Sequence, residues 1–111
     1  MTQKAHLHLI KWAVARGYSF AVYGEGEYDG VHSTYKTIKD NVEACDMGEM
    51  VLVAPSKKQQ GKWIRLAAFD YIFDNDQDPA DIIYDRECND IADEWDREYC
   101  EHSYALYPLN G

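Results

Sequence analysis

Apolar residues recur along this chain at two different spacings, which predict helices alternating with strands. Near the N-terminus they follow the three- and four-residue spacing of a helix face, at Leu7, Leu9, Ile10, Ala13 and Val14. We expect this helix to be capped by Thr2 and to end near Arg16, because Gly17 readily takes the left-handed conformation that terminates helices.

Residues 18–33 have the pattern of two strands. The run 18–23 is aromatic and β-branched and predicts the first strand, and 27–33 predicts the second, with Gly30 as a bulge. Between them, the glycines of 24–27 predict a turn.

A second helix is predicted over residues 35–45, capped by Ser33 or Thr34 and followed by a break at Gly48. Its buried stripe consists of Ile38, Val42 and Cys45. Two further strands are then predicted at 49–54 and at residues 62–69, joined by a polar loop.

The last third of the chain predicts two helices. Asp78-Pro79 combines a cap with a proline at the first helical position, which favours a short helix over 80–85. A longer helix begins at Asn89 or Asp90, and its apolar stripe consists of Ile91, Trp95 and Tyr99. The tail beyond it is predicted to be extended.

Together these elements predict one α+β domain over residues 1–111. A small antiparallel sheet of about four strands carries the helices, in the order α-β-β-α-β-β-α. A chain of 111 residues with 46% apolar residues is large enough to form a core without disulfides or structural metals. We expect neither a signal peptide nor a membrane span, since no apolar run approaches about 18 residues.

The net charge of −9 is distributed unevenly. Residues 1–66 contain nine basic and seven acidic side chains, whereas residues 67–111 contain two basic and thirteen acidic ones. Acidity of this size argues against direct binding to nucleic acid. Because apolar residues run through the acidic part, we interpret 70–102 as a folded acidic helical segment.

This acidic segment supplies the candidate contact residues. Rows of carboxylates on two helix faces would be spaced roughly 5–7 Å apart, comparable with the phosphates along a DNA strand. Such a surface fits the basic groove of a nucleic-acid-binding protein, with an exposed tyrosine as an anchor. The candidate partner-binding residues are Asp81, Asp85, Asp90, Asp93, Glu94, Glu98 and Tyr104. An ordinary solubilising helix face is the alternative interpretation.

Two metal-site patterns are incomplete. Asp74, Asp76, Asp78 and Asp85 occupy positions one, three, five and twelve of a calcium loop, but Pro79 stands where such loops need glycine. The alternative is an acidic loop that caps the next helix. Cys88, Cys100 and His102 lack the paired spacing of a zinc site. We therefore predict no metal and no cofactor.

The three cysteines indicate free thiols in a reducing compartment, with Cys45 packed as a small apolar residue. No catalytic motif is present. A small ligand- or metal-binding protein or an enzyme, with a cleft near His32 and Tyr35 at the sheet edge, remains the alternative to a binding protein.

The middle of the chain, over about residues 18–96, resembles small uncharacterised accessory proteins of tailed bacteriophages. The resemblance rests on Gly24-Glu25, Ser33-Thr34, Ile38 with Ala44-Cys45-Asp46, and Gly61-Lys62-Trp63, which stand at the turn, strand-end, helix and hairpin positions of those proteins. It implies a phage protein that acts in the cytoplasm of the bacterial host, and it brings no catalytic residues.

The sequence therefore leads to one main hypothesis. The protein is a phage-encoded, non-enzymatic inhibitor of the anti-CRISPR or anti-restriction type. It binds a host nucleic-acid-handling or defence protein through an acidic, DNA-mimicking surface. Its oligomeric state is left open.

Overall fold

The computed structural model describes residues 3–102, which form an α+β domain with three helices on a five-stranded antiparallel sheet. The helices are α1 (Ala5–Ala15), α2 (Tyr35–Glu43) and α3 (Asp90–His102). The strands are β1 (Ser19–Gly24), β2 (Glu27–His32), β3 (Met47–Pro55), β4 (Trp63–Ile72) and β5 (Ile83–Arg86). A short 3-10 helix, Pro79–Ile82, precedes β5. The spatial order of the strands is β2-β1-β3-β4-β5.

The sheet has one covered face and one open face. Alternate strand residues point toward the helices, and the main core joins them to the buried stripes of all three helices. Its strand members are Phe20, Val22, Met50, Leu52, Ala67, Phe69 and Tyr71. The intervening residues form a second, smaller cluster of Ala21, Val51, Val53 and Ala68, which contains no helix residue. We call this second side the open face.

The predicted fold class is confirmed, with one element corrected. The helix predicted over 80–85 is wrong, because the 3-10 helix ends at Ile82 and the next four residues pair with β4 as a fifth strand. Asp78-Pro79 does begin a helical turn, with proline at its start. The β-branched and aromatic residues that follow fit an extended edge strand better than a helix.

Helix boundaries also differ from the prediction. Lys4, rather than Thr2, occupies the N-cap of α1 and makes no side-chain capping bond, while Gly17 follows the helix with φ +80° as expected. Thr34 caps α2 by accepting a hydrogen bond from the Thr37 backbone. Cys45 lies beyond α2 and is half-buried, so it is not part of the buried stripe of that helix.

The strands run further than the sequence pattern indicated. Gly48 lies inside β3 rather than before it, and β4 continues to Ile72. Gly30 has φ +94° next to the register shift between β1 and β2, which confirms the predicted bulge. The tail that was predicted to be extended begins at residue 103 and lies outside the described residues.

Candidate functional site

A groove of about 550 Å³ runs between the edge strand β5 and α3. Its lining residues are Ala80, Ile83, Tyr84, Asp85, Arg86, Cys88, Asp93, Trp95, Asp96, Tyr99 and Cys100. We call it the β5–α3 groove. Among the strands of residues 3–102, β5 is the last in the sheet, so the backbone groups on its outer side have no neighbouring strand in this part of the chain. The groove thus combines acidic side chains, aromatic rings and an edge strand.

The wall formed by α3 is fixed in place at its first turn. Asn89 caps the helix by accepting a hydrogen bond from the Ala92 backbone at 3.0 Å. Its amide also donates to the Leu66 carbonyl on β4 and to the Glu87 carboxylate. One side chain therefore starts the helix and ties it to the sheet. This bears out the predicted start of the helix at Asn89 or Asp90, with Asn89 as the cap and Asp90 as the first helical residue.

Aromatic contacts hold the rest of α3 against α1. The Trp95 indole donates to His8 Nδ1 at 3.1 Å, and the Tyr99 hydroxyl donates to the Gln3 carbonyl at 2.7 Å. Trp95 also meets the Phe69 ring edge-on at 5.5 Å. Rings packed in this way have defined orientations, so the acidic side of α3 is presented on a rigid support.

Arg86 lines the groove and partly neutralises its negative charge. Its guanidinium donates to the carboxylates of Asp93 and Asp96, which stand one turn apart on α3. Two carboxylates on α3 face this single cation. The groove therefore keeps an excess of negative charge.

The groove contains two thiols that are not disulfide-bonded, Cys88 and Cys100. Burial, followed by the charge of Asp96, raises the pKa of the Cys100 thiol. A thiol in an anionic environment stays protonated at neutral pH and is a poor nucleophile. No group of three metal-ligating side chains stands together within residues 3–102.

The structure separates the predicted contact residues into three places. Asp85 and Asp93 line the β5–α3 groove. Asp81 is exposed on the 3-10 helix, and three further carboxylates lie on α3 outside the groove lining: Asp90, Glu94 and Glu98. Tyr104 lies outside the described residues. The prediction omitted Asp96 and Arg86, although Asp96 follows Asp93 by one helical turn and that spacing signals a shared face.

The aspartate-rich loop before the 3-10 helix is organised by an amide. The Gln77 side chain donates to the carbonyls of Ile72 and Asp81 and accepts from the Asp74 backbone. Asp85, the twelfth residue of the calcium pattern, belongs to β5. Gln77 thus joins the two ends of the loop through protein hydrogen bonds.

The alternative site around His32 and Tyr35 consists of residues with local structural contacts. The His32 ring is hydrogen-bonded to the Asp29 carbonyl at 2.8 Å. The Lys11 ammonium lies 5.5 Å from the centre of the Tyr35 ring. These contacts stabilise a turn and a helix pair, respectively.

No protein-family model, curated protein or solved structure matches this chain. Within residues 3–102, no helix is both long enough and apolar enough to cross a membrane.

Proposed function

We propose that this protein is a non-enzymatic accessory protein of a tailed bacteriophage that binds a nucleic-acid-handling or defence protein in the host cytoplasm. The contact surface is the acidic side of the 3-10 helix, β5 and α3. It competes with nucleic-acid phosphate for a basic channel, as an anti-CRISPR or anti-restriction protein does.

The observation that carries this proposal is the placement of acidic residues along α3. Six of its thirteen residues are acidic, and they continue into the last turns at Glu98 and Glu101. Carboxylates favour the first turn of a helix, where the partial charge is positive, and oppose the negative C-terminal end. The acidity of α3 therefore extends well beyond the first turn, and the helix carries a single arginine, Arg97. An acidic surface of this length suits binding to a cationic partner.

The dimensions of α3 fit a nucleic-acid-binding channel. Thirteen residues span about 20 Å, which is roughly the axial length of six base pairs. Successive turns place carboxylates about 5–6 Å apart, close to the phosphate spacing along one strand. A rigid helix with this spacing can replace a short stretch of phosphate backbone.

An affinity capture from bacterial lysate tests the proposal. The wild-type chain is compared with the triple variant Asp81→Lys, Asp90→Lys, Glu94→Lys, whose three carboxylates are exposed and form no ion pair within residues 3–102. The wild type is expected to retain a nucleic-acid-binding protein that is released by salt and by added duplex DNA. The triple variant is expected to lose it.

The matched control carries the same change in net charge elsewhere, as Glu25→Lys, Glu27→Lys, Asp46→Lys, and these carboxylates also form no ion pair within residues 3–102. All three of these positions are exposed and lie outside the acidic segment. The control is expected to retain the partner. Equal loss in both variants, or capture that neither salt nor DNA weakens, contradicts the proposal.

A further inference from the structure

The open face carries an apolar band across the sheet that none of the three helices within residues 3–102 covers. Val31, Ala21, Val51 and Ala68 lie side by side in the register of four adjacent strands. Of the five large apolar side chains that are exposed within residues 3–102, four line clefts on this face: Tyr28, Met47, Trp63 and Tyr84. A face of this kind marks an interaction surface.

The two ends of the open face carry opposite charges. On one side of the apolar band, Glu49, Asp70 and Asp85 form a row of carboxylates across β3, β4 and β5. On the other side, the β3–β4 hairpin carries Lys57, Lys58 and Lys62. None of these six side chains has an ion-pair partner within residues 3–102. One end of the open face is therefore acidic and the other basic, so the charges of two copies match when their strands run in opposite directions.

We propose that a second copy of this chain covers the open face. A two-fold axis parallel to the apolar band would lay one sheet on the other with the strand directions reversed. Val51 then meets Val51 of the second copy at the centre. The acidic row of each copy faces the lysine-bearing hairpin of the other, and the acidic helices α3 point outward from both sides of the sandwich.

The same symmetry places an aromatic anchor opposite a cleft. Trp63 pairs with Pro55 at one end of the β3–β4 ladder, and Met47 lies at the other end. A cleft of about 610 Å³ lies beside Met47, lined by Tyr23, Glu49 and Tyr84 among others. Reversing the strands about Val51 brings Trp63 of one copy over this cleft of the other. Tryptophan is one of the residue types enriched in interface hot spots, which cluster in well-packed pockets.

The area of the face agrees with a modest dimer. Five strands about 4.8 Å apart and eight residue steps along β3 give roughly 500 Å² per copy, or roughly 1,000 Å² in total. This is the lower limit of specific protein interfaces, a size at which weak, reversible association is common. The proposal is independent of the partner that α3 binds.

Sedimentation and light scattering over a concentration series test the dimer with a matched pair of variants. Trp63 and Ile64 are neighbours on β4 with almost equal exposure, 45% and 47%, but only Trp63 lines a cleft of the open face. Trp63→Ala is expected to weaken dimerisation at least tenfold, and Ile64→Ala less than threefold. Equal effects of the two substitutions overturn the proposal.

A charge exchange provides a second test. Glu49→Lys with Asp70→Lys is expected to abolish the dimer, and adding Lys57→Glu, Lys58→Glu and Lys62→Glu is expected to restore it. Failure of this restoration in a chain with unchanged circular dichroism overturns the proposal. So does a monomer at roughly 1 mM chain, or dimerisation that appears only when residues 103–111 are removed, which would assign the face to that segment.

Discussion

Asp70 on β4 lies directly opposite Asp85 on β5, so two carboxylates share one register position on the open face. Burial, and after it the charge of Asp85, raises the pKa of Asp70 above its ordinary value of 3.8. The folded state therefore holds this proton more tightly than the unfolded chain does. The ionised Asp70 carboxylate therefore lowers the free energy of unfolding at neutral pH. This destabilisation disappears as the pH falls below the ordinary pKa of an aspartate.

The substitution Asp70→Asn is accordingly expected to stabilise the monomer at pH 7 by a few tenths to about 1 kcal/mol. Near pH 2.5 the effect is expected to vanish, because Asp70 is then almost fully protonated in both states. Urea denaturation at the two pH values, at concentrations below dimer formation, measures the difference. A gain that is the same at both values would assign the effect to packing rather than charge.

A buried histidine gives a second pH dependence with the opposite sign. The His6 ring is 1% exposed, packs edge-on against Phe73 and donates from Nε2 to the Glu43 carboxylate at 2.7 Å. Burial lowers the pKa of His6 below its ordinary 6.5, outweighing the Glu43 contact that raises it, and the charges of Lys4 and Lys39 lower it further. The unfolded chain therefore takes up the proton first as the pH falls.

Stability is thus expected to decrease from pH 6.5 downward, by up to about 1.4 kcal/mol per unit of pKa difference, until the folded pKa is passed. His6→Gln retains a donor toward Glu43 but cannot titrate. We expect the unfolding free energy of this variant to change less between pH 7.5 and pH 5.5 than that of the wild type, measured by urea denaturation. If the unfolding free energy of His6→Gln changes between the two pH values as much as that of the wild type, a group other than His6 causes the pH dependence.

Gly48 allows β3 to pass close to two tyrosines. A Cβ at this position would lie 2.4 Å from the Tyr23 carbonyl and 2.6 Å from the Tyr71 hydroxyl. Gly48→Ala is therefore expected to cost about 3 kcal/mol in thermal or urea unfolding, because the backbone oxygen has little room to move. A Cβ at Gly61, by contrast, meets no atom within 4 Å, so Gly61→Ala costs only the strain of its φ of +81°, about 1 kcal/mol.

Tyr71→Phe is the informative second substitution at this contact. The Tyr71 hydroxyl is buried without a hydrogen-bond partner within residues 3–102, and burial raises its pKa to about 12. Removal of this hydroxyl in Tyr71→Phe alone is expected to leave the stability nearly unchanged or to increase it. In the double variant, it is expected to recover part of the stability that Gly48→Ala loses. If the stability changes of the two single substitutions simply add in the double variant, the new Cβ at position 48 does not clash with the Tyr71 hydroxyl.

The pattern of apolar residues is sufficient to predict those elements that bury a regular apolar face. The α3 stripe with Trp95 and Tyr99 is buried as predicted, and the apolar run at 49–54 forms a strand as predicted. The fifth strand was missed because Asp78-Pro79 is a strong helix-start signal, whereas Ile83–Arg86 becomes a strand only by pairing with the edge of β4. That pairing is a tertiary contact and leaves no local periodicity.

The same distinction applies to the candidate site. The acidic side of α3 could be predicted, because helical spacing alone brings Asp93 and Asp96 together. The position of Arg86 could not, since it depends on β5 lying beside α3. The open face was equally inaccessible to sequence reasoning, because which side of a strand a helix covers is decided by chain topology.

Arg86 offers the sharpest test of an electrostatic role for the β5–α3 groove. Arg86→Gln removes the guanidinium that binds Asp93 and Asp96 and leaves one more net negative charge at the surface. Loss of these partly exposed ion pairs is expected to cost about 1 kcal/mol of stability. Attraction to a basic partner would increase, so the association rate with the captured protein is expected to rise severalfold at low salt.

The measurement is the association rate at several ionic strengths, by stopped flow or surface plasmon resonance. The variant is expected to have a steeper salt dependence than the wild type and to converge with it at high salt, where charges are screened. Lys36→Gln is the control, since it also removes one cation from an exposed ion pair, with Asp40 on α2. If both variants accelerate association equally, only net charge matters, and the groove is not the contact surface.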